Sequence, residues 1–184
     1  MKLTLRACVA CLVVIFAGCP ARSIFPLITS KEHVFDPALV GKWVTGKHDT
    51  MTITASSDKY SIKALVGSDR SKVLYHYYEA RRGRFGQYWF LDTYQHIRED
   101  AQDHLIPSHL FHQYSLSGDT LTLATLDVNW LSRMIDSNQV TLTHLTRDHE
   151  VIITASTEEL QAFVVRYAGD TVAFAKSGTY VRVQ

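Results

Sequence analysis

Histidine is the reactive residue type in which this chain is enriched, and three of its nine histidines are close together in sequence. His104, His109 and His112 follow two carboxylates, Glu99 and Asp103. One interpretation is a metal site, since imidazole and carboxylate groups are common metal ligands. Residues three apart on a strand face opposite sides, so His109 and His112 converge only where the strand bends. We therefore expect one exposed histidine, one hydrogen-bonded histidine and no metal.

His112 has a second interpretation, which comes from its neighbours. If residues 110–116 form a strand, His112 shares an otherwise apolar face with Tyr114. A polar ring in that position either orients a ligand or is held by a hydrogen bond, for example to Tyr75 or Tyr78. We favour the hydrogen bond.

A basic cluster, Arg81, Arg82 and Arg84, stands between the apolar segments 73–79 and 85–94. The cluster predicts a hairpin tip, which could meet phosphate head groups or an acidic partner. A solvated turn is the simpler interpretation.

Motifs that would indicate an enzyme are absent from the sequence. It contains no Gly-x-Ser-x-Gly elbow, no His-Glu-x-x-His pair, no phosphate-cradling glycine loop and no dinucleotide fingerprint. We assign no catalytic residue and no cofactor, and a non-enzymatic function is favoured.

Charge and cysteine content exclude further classes of protein. The 184 residues carry a formal net charge of +1, which argues against a nucleic-acid partner. All three cysteines, Cys8, Cys11 and Cys19, lie in the first 19 residues. The rest of the chain therefore has no internal disulfide, no thiol nucleophile and no thiolate metal ligand.

The first residues are typical of an export signal. Lys2 and Arg6 precede an apolar run that ends in the small residues Ala17-Gly18. Phe16-Ala17-Gly18-Cys19 resembles the bacterial lipobox, and this resemblance implies cleavage before Cys19 and acylation of its thiol. It also implies anchorage in the cell envelope. The residue after Cys19 is Pro20 and not the aspartate that commonly signals retention in the inner membrane, so the periplasmic face of the outer membrane is favoured. The alternative is an ordinary secretory signal with a chance cysteine.

Three segments follow from this pattern. Residues 1–18 are the predicted signal peptide and residues 39–184 a predicted β-barrel domain. Residues 19–38 are a predicted lipidated cysteine and tether, because three prolines and little periodicity lie between Pro20 and Pro37.

Short alternating segments predict a mainly β domain with two short helices. Hairpins are expected at Ser56-Ser57-Asp58 and Ser117-Gly118-Asp119. Asp127 can cap one helix, and Ser156 and Glu159 form a capping box for a second, which Gly169 ends. A last strand, 180–183, is expected to close the sheet.

Gly41-Lys42-Trp43 opens the first predicted strand and resembles the Gly-x-Trp signature of lipocalins. The resemblance implies an antiparallel barrel whose closed end is plugged by Trp43, with a C-terminal helix and a closing strand. The layout also resembles bacterial lipoproteins from which no activity can be carried over.

Two functions agree with such a barrel. The first is binding of a small apolar ligand or lipid between aromatic walls. The second is a packed barrel that binds another envelope protein. An apolar cavity with an open mouth would favour the first and a filled interior the second. The candidate ligand-binding residues are Trp43, Tyr75, Tyr77, Tyr88, Trp89, His112 and Tyr114.

Overall fold

A computed structural model describes residues 20–46, 49–66, 74–96, 107–147 and 150–183. The export segment, the lipobox and Cys19 lie outside these residues, as do Glu99, Asp103 and His104. The strands are β1 (Arg22–Ser23), β2 (Gly41–Val44), β3 (Thr50–Ser56), β4 (Lys59–Val66), β5 (Leu74–Phe85), β6 (Tyr88–Gln95), β7 (His109–Ser117), β8 (Thr120–Leu126), β9 (His144–Arg147), β10 (Glu150–Ile153) and β11 (Phe174–Arg182), and the helices are α1 (Val128–Asp136) and α2 (Thr157–Tyr167).

Eight of the strands form a closed antiparallel barrel. Strands β2 to β8 pair consecutively along the chain, and β11 pairs with both β8 and β2 to close the ring. The predicted fold class, a lipocalin-like barrel with a C-terminal helix and a closing strand, is confirmed. Strand β7 also pairs with β1, through which β10 and β9 extend the sheet outside the barrel. The pairing of β9 with β10 was not predicted.

Three hairpin turns were predicted, and two of them are correct. The chain reverses at Ser57 and at Gly118, both with positive φ. The predicted turn at Arg81–Arg84 is wrong, because β5 continues to Phe85 and reverses at Gly86, where φ is +61°. The arginines are strand residues, and alternation points Arg82 into the barrel.

Trp43 plugs one end of the barrel, as the resemblance implied. Its side chain is fully buried, and its indole Nε1 donates to the Leu39 carbonyl at 3.0 Å. The guanidinium of Arg182 lies 4.2 Å from the ring centroid and donates to the Val40 carbonyl at 2.7 Å. Gly41 has a φ of +149°, a conformation that residues with a Cβ rarely adopt, which explains the glycine near the tryptophan.

Both predicted helices cover the outer wall of the barrel. Asp127 caps α1 by accepting from the Trp130 amide, and the capping box of α2 is present. Gly169 has an ordinary φ, so a left-handed cap is not its role; a Cβ there would approach the Tyr88 hydroxyl to 3.0 Å. Apolar residues of both helices and of the barrel strands form an outer core: Phe85, Phe90, Phe111, Leu126, Trp130, Leu131, Leu160, Phe163, Val164 and Phe174.

The segment predicted to be a tether is packed, so that prediction is wrong for residues 20–38. We call these residues the N-terminal strap. Leu27 and Ile28 are fully buried against the outer wall, and the amide of Val34 donates to the carbonyl of Arg82. The folded domain therefore includes residues 20–38 and does not begin at residue 39. The prolines and the lack of periodicity did not indicate this packing. The strap forms its hydrogen bonds with barrel residues that are distant in sequence.

Within the residues described, no helix is long and apolar enough to span a bilayer.

Candidate functional site

Several inward-facing residues of the barrel are buried near Trp43, and several toward the opposite end are only half-buried. Paired residues of neighbouring antiparallel strands share a face, so the register identifies the inward side chains. Tyr60 and Tyr114 lie toward the end that Trp43 closes and are buried, whereas Ala64 and Leu110, toward the opposite end of the same strands, are only half-buried. We call the open half the chamber; its described inward-facing residues are Met51, Ala64, His76, Tyr78, Thr93, Gln95, Leu110, His112, Thr125 and Tyr180.

His112 is the centre of a hydrogen-bond chain across the chamber wall. Its Nδ1 lies 2.9 Å from the Thr125 hydroxyl, which donates to Ser177 at 2.8 Å. Its Nε2 lies 3.2 Å from the Thr93 hydroxyl, so each ring nitrogen has a hydroxyl partner. The hydrogen-bonded role is confirmed, but the partners are threonines and not a tyrosine.

Burial keeps His112 uncharged. Desolvation lowers the pKa of His112 to about 4, against a smaller opposing effect of the Asp92 charge on the far face of the sheet. The side chain nevertheless retains some accessible surface.

Two tyrosines add hydroxyl groups to the chamber. Burial raises the pKa of Tyr78 and that of Tyr180, and the Asp49 charge adds to the shift at Tyr180. The ring of His76 stacks on Tyr78, and its Nδ1 is 3.2 Å from the Gln95 amide nitrogen near the mouth. The wall therefore offers neutral hydrogen-bonding groups beside apolar side chains.

Arg82 lies in the closed half and is 7% exposed. Its guanidinium stacks 3.5 Å from the Trp89 ring centroid, donates to the Tyr114 hydroxyl and pairs with Asp36 at 3.2 Å. Burial raises the pKa of Tyr114 to about 12, although the arginine opposes this shift. The hydroxyl of Tyr114 is already engaged, so Trp89 and Tyr114 act as filling rather than as a free ligand surface.

The predicted ligand-binding residues divide into two groups. Trp43, Trp89, His112 and Tyr114 face the interior, and of these only His112 borders the chamber. Tyr75, Tyr77 and Tyr88 face outward, so their predicted role in lining the interior is wrong: the first two are 47% and 49% exposed, and Tyr88 packs against the outer core. Both faces of β5 carry aromatic rings, and alternation alone could not decide which face is internal.

A second polar site lies on the outer wall, in a cleft of about 420 Å³ beneath the strap. Asp92, buried there, accepts from the amides of Leu27 and Ile28 at 2.7 and 3.0 Å and bonds His109 Nδ1 at 2.8 Å. The sequence signal for this site was a carboxylate inside an apolar strand. Because Asp92 accepts hydrogen bonds from two strap amides, it fixes the strap to the outer wall of the barrel.

His109 and His112 lie on opposite faces of β7, as strand geometry predicts, so they cannot share a metal ion. Within the described ranges, no cluster of three or more His, Cys, Asp or Glu residues could hold one.

Comparison of the chain with protein-family models, with curated proteins and with solved structures finds no match. The functional argument therefore depends on the barrel and on the chemistry of the chamber.

Proposed function

We propose that this protein is a lipid-anchored lipoprotein of the bacterial cell envelope that holds a small apolar ligand in the chamber and catalyses no reaction. The observation that carries the proposal is the gradient of exposure along the inward faces of the strands. Buried residues such as Tyr60 give way to half-buried ones such as Ala64 and His112 toward one end. Eight-stranded barrels of this kind either fill completely or leave space for one ligand.

The wall groups define the chemistry of the ligand. Tyr78, His112 and Tyr180 are neutral at pH 7, because burial raises the pKa of the tyrosines and lowers that of the histidine. A negatively charged group buried beside them would lose its hydration without gaining an opposite charge. The favoured ligand has an apolar body and an uncharged hydrogen-bonding group, such as a hydroxyl.

The anchor is proposed from Phe16-Ala17-Gly18-Cys19 and its resemblance to the lipobox. Acylated Cys19 would hold the domain at the membrane, because each buried methylene contributes roughly 0.8 kcal/mol. The periplasmic face of the outer membrane is the proposed location.

The second candidate is an interaction module for another envelope protein. The filled closed half, with Arg82 stacked on Trp89, favours it because much of the barrel offers no room for a ligand. The outcome of ligand binding separates the two candidates.

A binding titration tests the chamber. A chain starting at Pro20 would be titrated with a fluorescent fatty alcohol, and the full-length product purified from its native envelope would be extracted for retained lipids. Leu110→Trp fills the chamber and should abolish binding, whereas Ser115→Trp, exposed on the outer face of the same strand, should leave it unchanged. Absence of binding by the unmodified chain, with no retained lipid, would refute the ligand-binding proposal and favour the interaction module.

A further inference from the structure

The packed strap leaves no free length of chain between Cys19 and the barrel. Pro20 forms a β-bridge with Asp127, and the amide of Ala21 donates to the carbonyl of Leu126 at 2.9 Å. Consecutive Cα atoms are about 3.8 Å apart, so Cys19 lies within one residue of this contact. A lipid on Cys19 would therefore hold a definite part of the domain against the membrane.

That part is the open end of the barrel. Leu126 is the last residue of β8, whose other end is the Ser117–Thr120 hairpin at the closed end. The amide of Asp127 donates to the carbonyl of Ala173, which directly precedes β11, and the neighbouring Val172 is 61% exposed. The attachment point and an exposed apolar side chain thus share the rim of the chamber.

A second group of interfacial side chains lies at the same end, on β4 and β5. Tyr75 and Tyr77 project outward near the start of β5 and are about half exposed. The ammonium of Lys63 lies 4.1 Å from the Tyr75 ring centroid and 5.8 Å from that of Tyr77. Tyrosine rings beside a lysine are the combination that favours the head-group region of a bilayer.

We propose that the open rim of the barrel rests on the lipid surface that holds Cys19, so that the chamber opens toward the bilayer and exchanges its ligand with it. This inference rests on the lipid anchor of the proposed function. It assigns to Val172, Tyr75 and Tyr77 a contact with lipid head groups, and it turns the hairpin at Gly86 away from the membrane. A barrel lying on its side would bring α2 or β9 to the lipid instead.

Single labelled cysteines can test this orientation, because the mature chain has no cysteine other than Cys19, whose thiol is blocked by acylation. The acylated full-length product would be placed in phosphatidylethanolamine–phosphatidylglycerol vesicles that contain a head-group-labelled quencher lipid. Val172→Cys and Gln87→Cys, the latter exposed at the closed end, would each carry the same fluorophore. We expect the quencher to reduce the fluorescence at position 172 and to leave that at position 87 unchanged.

Equal quenching at both positions, or stronger quenching at 87, would refute the orientation. Mass spectrometry of the N-terminal peptide separates this failure from that of the anchor. An acylated Cys19 with quenching at 87 refutes the orientation alone, whereas an unmodified Cys19 refutes the anchor and the orientation together. Replacing Tyr75 and Tyr77 by serine should weaken quenching at 172, and unchanged quenching would exclude the tyrosines from the contact.

Discussion

The two halves of the barrel are built from the same strands but differ in how far their interiors are filled. In the closed half, Trp43, Tyr60 and Arg82 are buried, and both Tyr60 and Arg82 contact Asp36 of the strap. In the chamber, Tyr78, Leu110 and His112 keep part of their surface accessible. One inward face is therefore buried at one end and partly accessible at the other, without a change of architecture.

Trp43→Ala should have the largest effect on stability. It removes a fully buried ring and the platform on which Arg182 stacks, so we expect a loss of about 3–5 kcal/mol in the free energy of unfolding. Urea denaturation followed by circular dichroism measures it. A loss no greater than that of a chamber variant would contradict the division into a filled and an open half.

The chamber histidine should make stability depend on pH. The pKa of His112 is about 4 in the folded chain and about 6.5 when unfolded, so the unfolded state binds more protons between these values. Its contribution is fully present above about pH 6.5 and is lost as pH falls toward 4, a change of about 3 kcal/mol.

The measurement is urea denaturation across that pH range for the parent chain and for His112→Gln. The variant should be less stable at pH 7 but should lose less stability on acidification. Parallel pH profiles for the two chains would show that His112 is not the titrating group.

Asp92→Asn tests whether the strap is held by the outer wall rather than by the interior. The variant loses a charged acceptor for two amides and for His109, and hydrogen bonds to charged groups contribute about 1.5–3 kcal/mol each. Since the amide oxygen can still accept, we expect a loss of about 2 kcal/mol and faster proteolysis within residues 20–38. Ligand binding in the chamber should persist, and its loss would show that the two sites are coupled.

Leu110→Ala should have the smallest effect of the four. The side chain is only half-buried at the mouth, so truncation should cost about 1 kcal/mol or less while it enlarges the chamber. Affinity for a longer fatty alcohol should rise relative to a shorter one. A stability loss as large as that of Trp43→Ala would mean that the mouth is packed like the closed half.

Much of the secondary structure was predictable because its signals are local. Alternation identified the strands, Ser156 with Glu159 identified α2, and Asp127 identified α1. The strap was missed because its contacts are distant in sequence: Leu27 and Asp92 are 65 residues apart, and Thr157 donates to the carbonyl of Pro26 across 131 residues. No local pattern carries such information.

The site was predictable only in part. His112 was identified as an inward polar residue because its strand has one clearly apolar face. Tyr78 and Tyr180 were not proposed as lining residues, and Tyr75 and Tyr77 were, because β5 has rings on both faces. Pairing with Ile62, which is buried in the core, is what points Tyr78 inward. This pairing depends on a register that the sequence of β5 alone does not specify.

The closure of the barrel by β11 has a consequence for the order of assembly. Trp43 and Val44 in the first barrel strand pair with Arg182 and Val181 in the last, so the ring cannot form until nearly the whole chain is available. Contacts between residues so far apart in sequence slow folding, because the entropy cost of closing the loop comes before the stabilisation from strand pairing. During synthesis from the amino terminus, the barrel therefore stays open until the last strand is available. A channel that passes only unfolded protein would encounter a chain whose barrel has not yet closed.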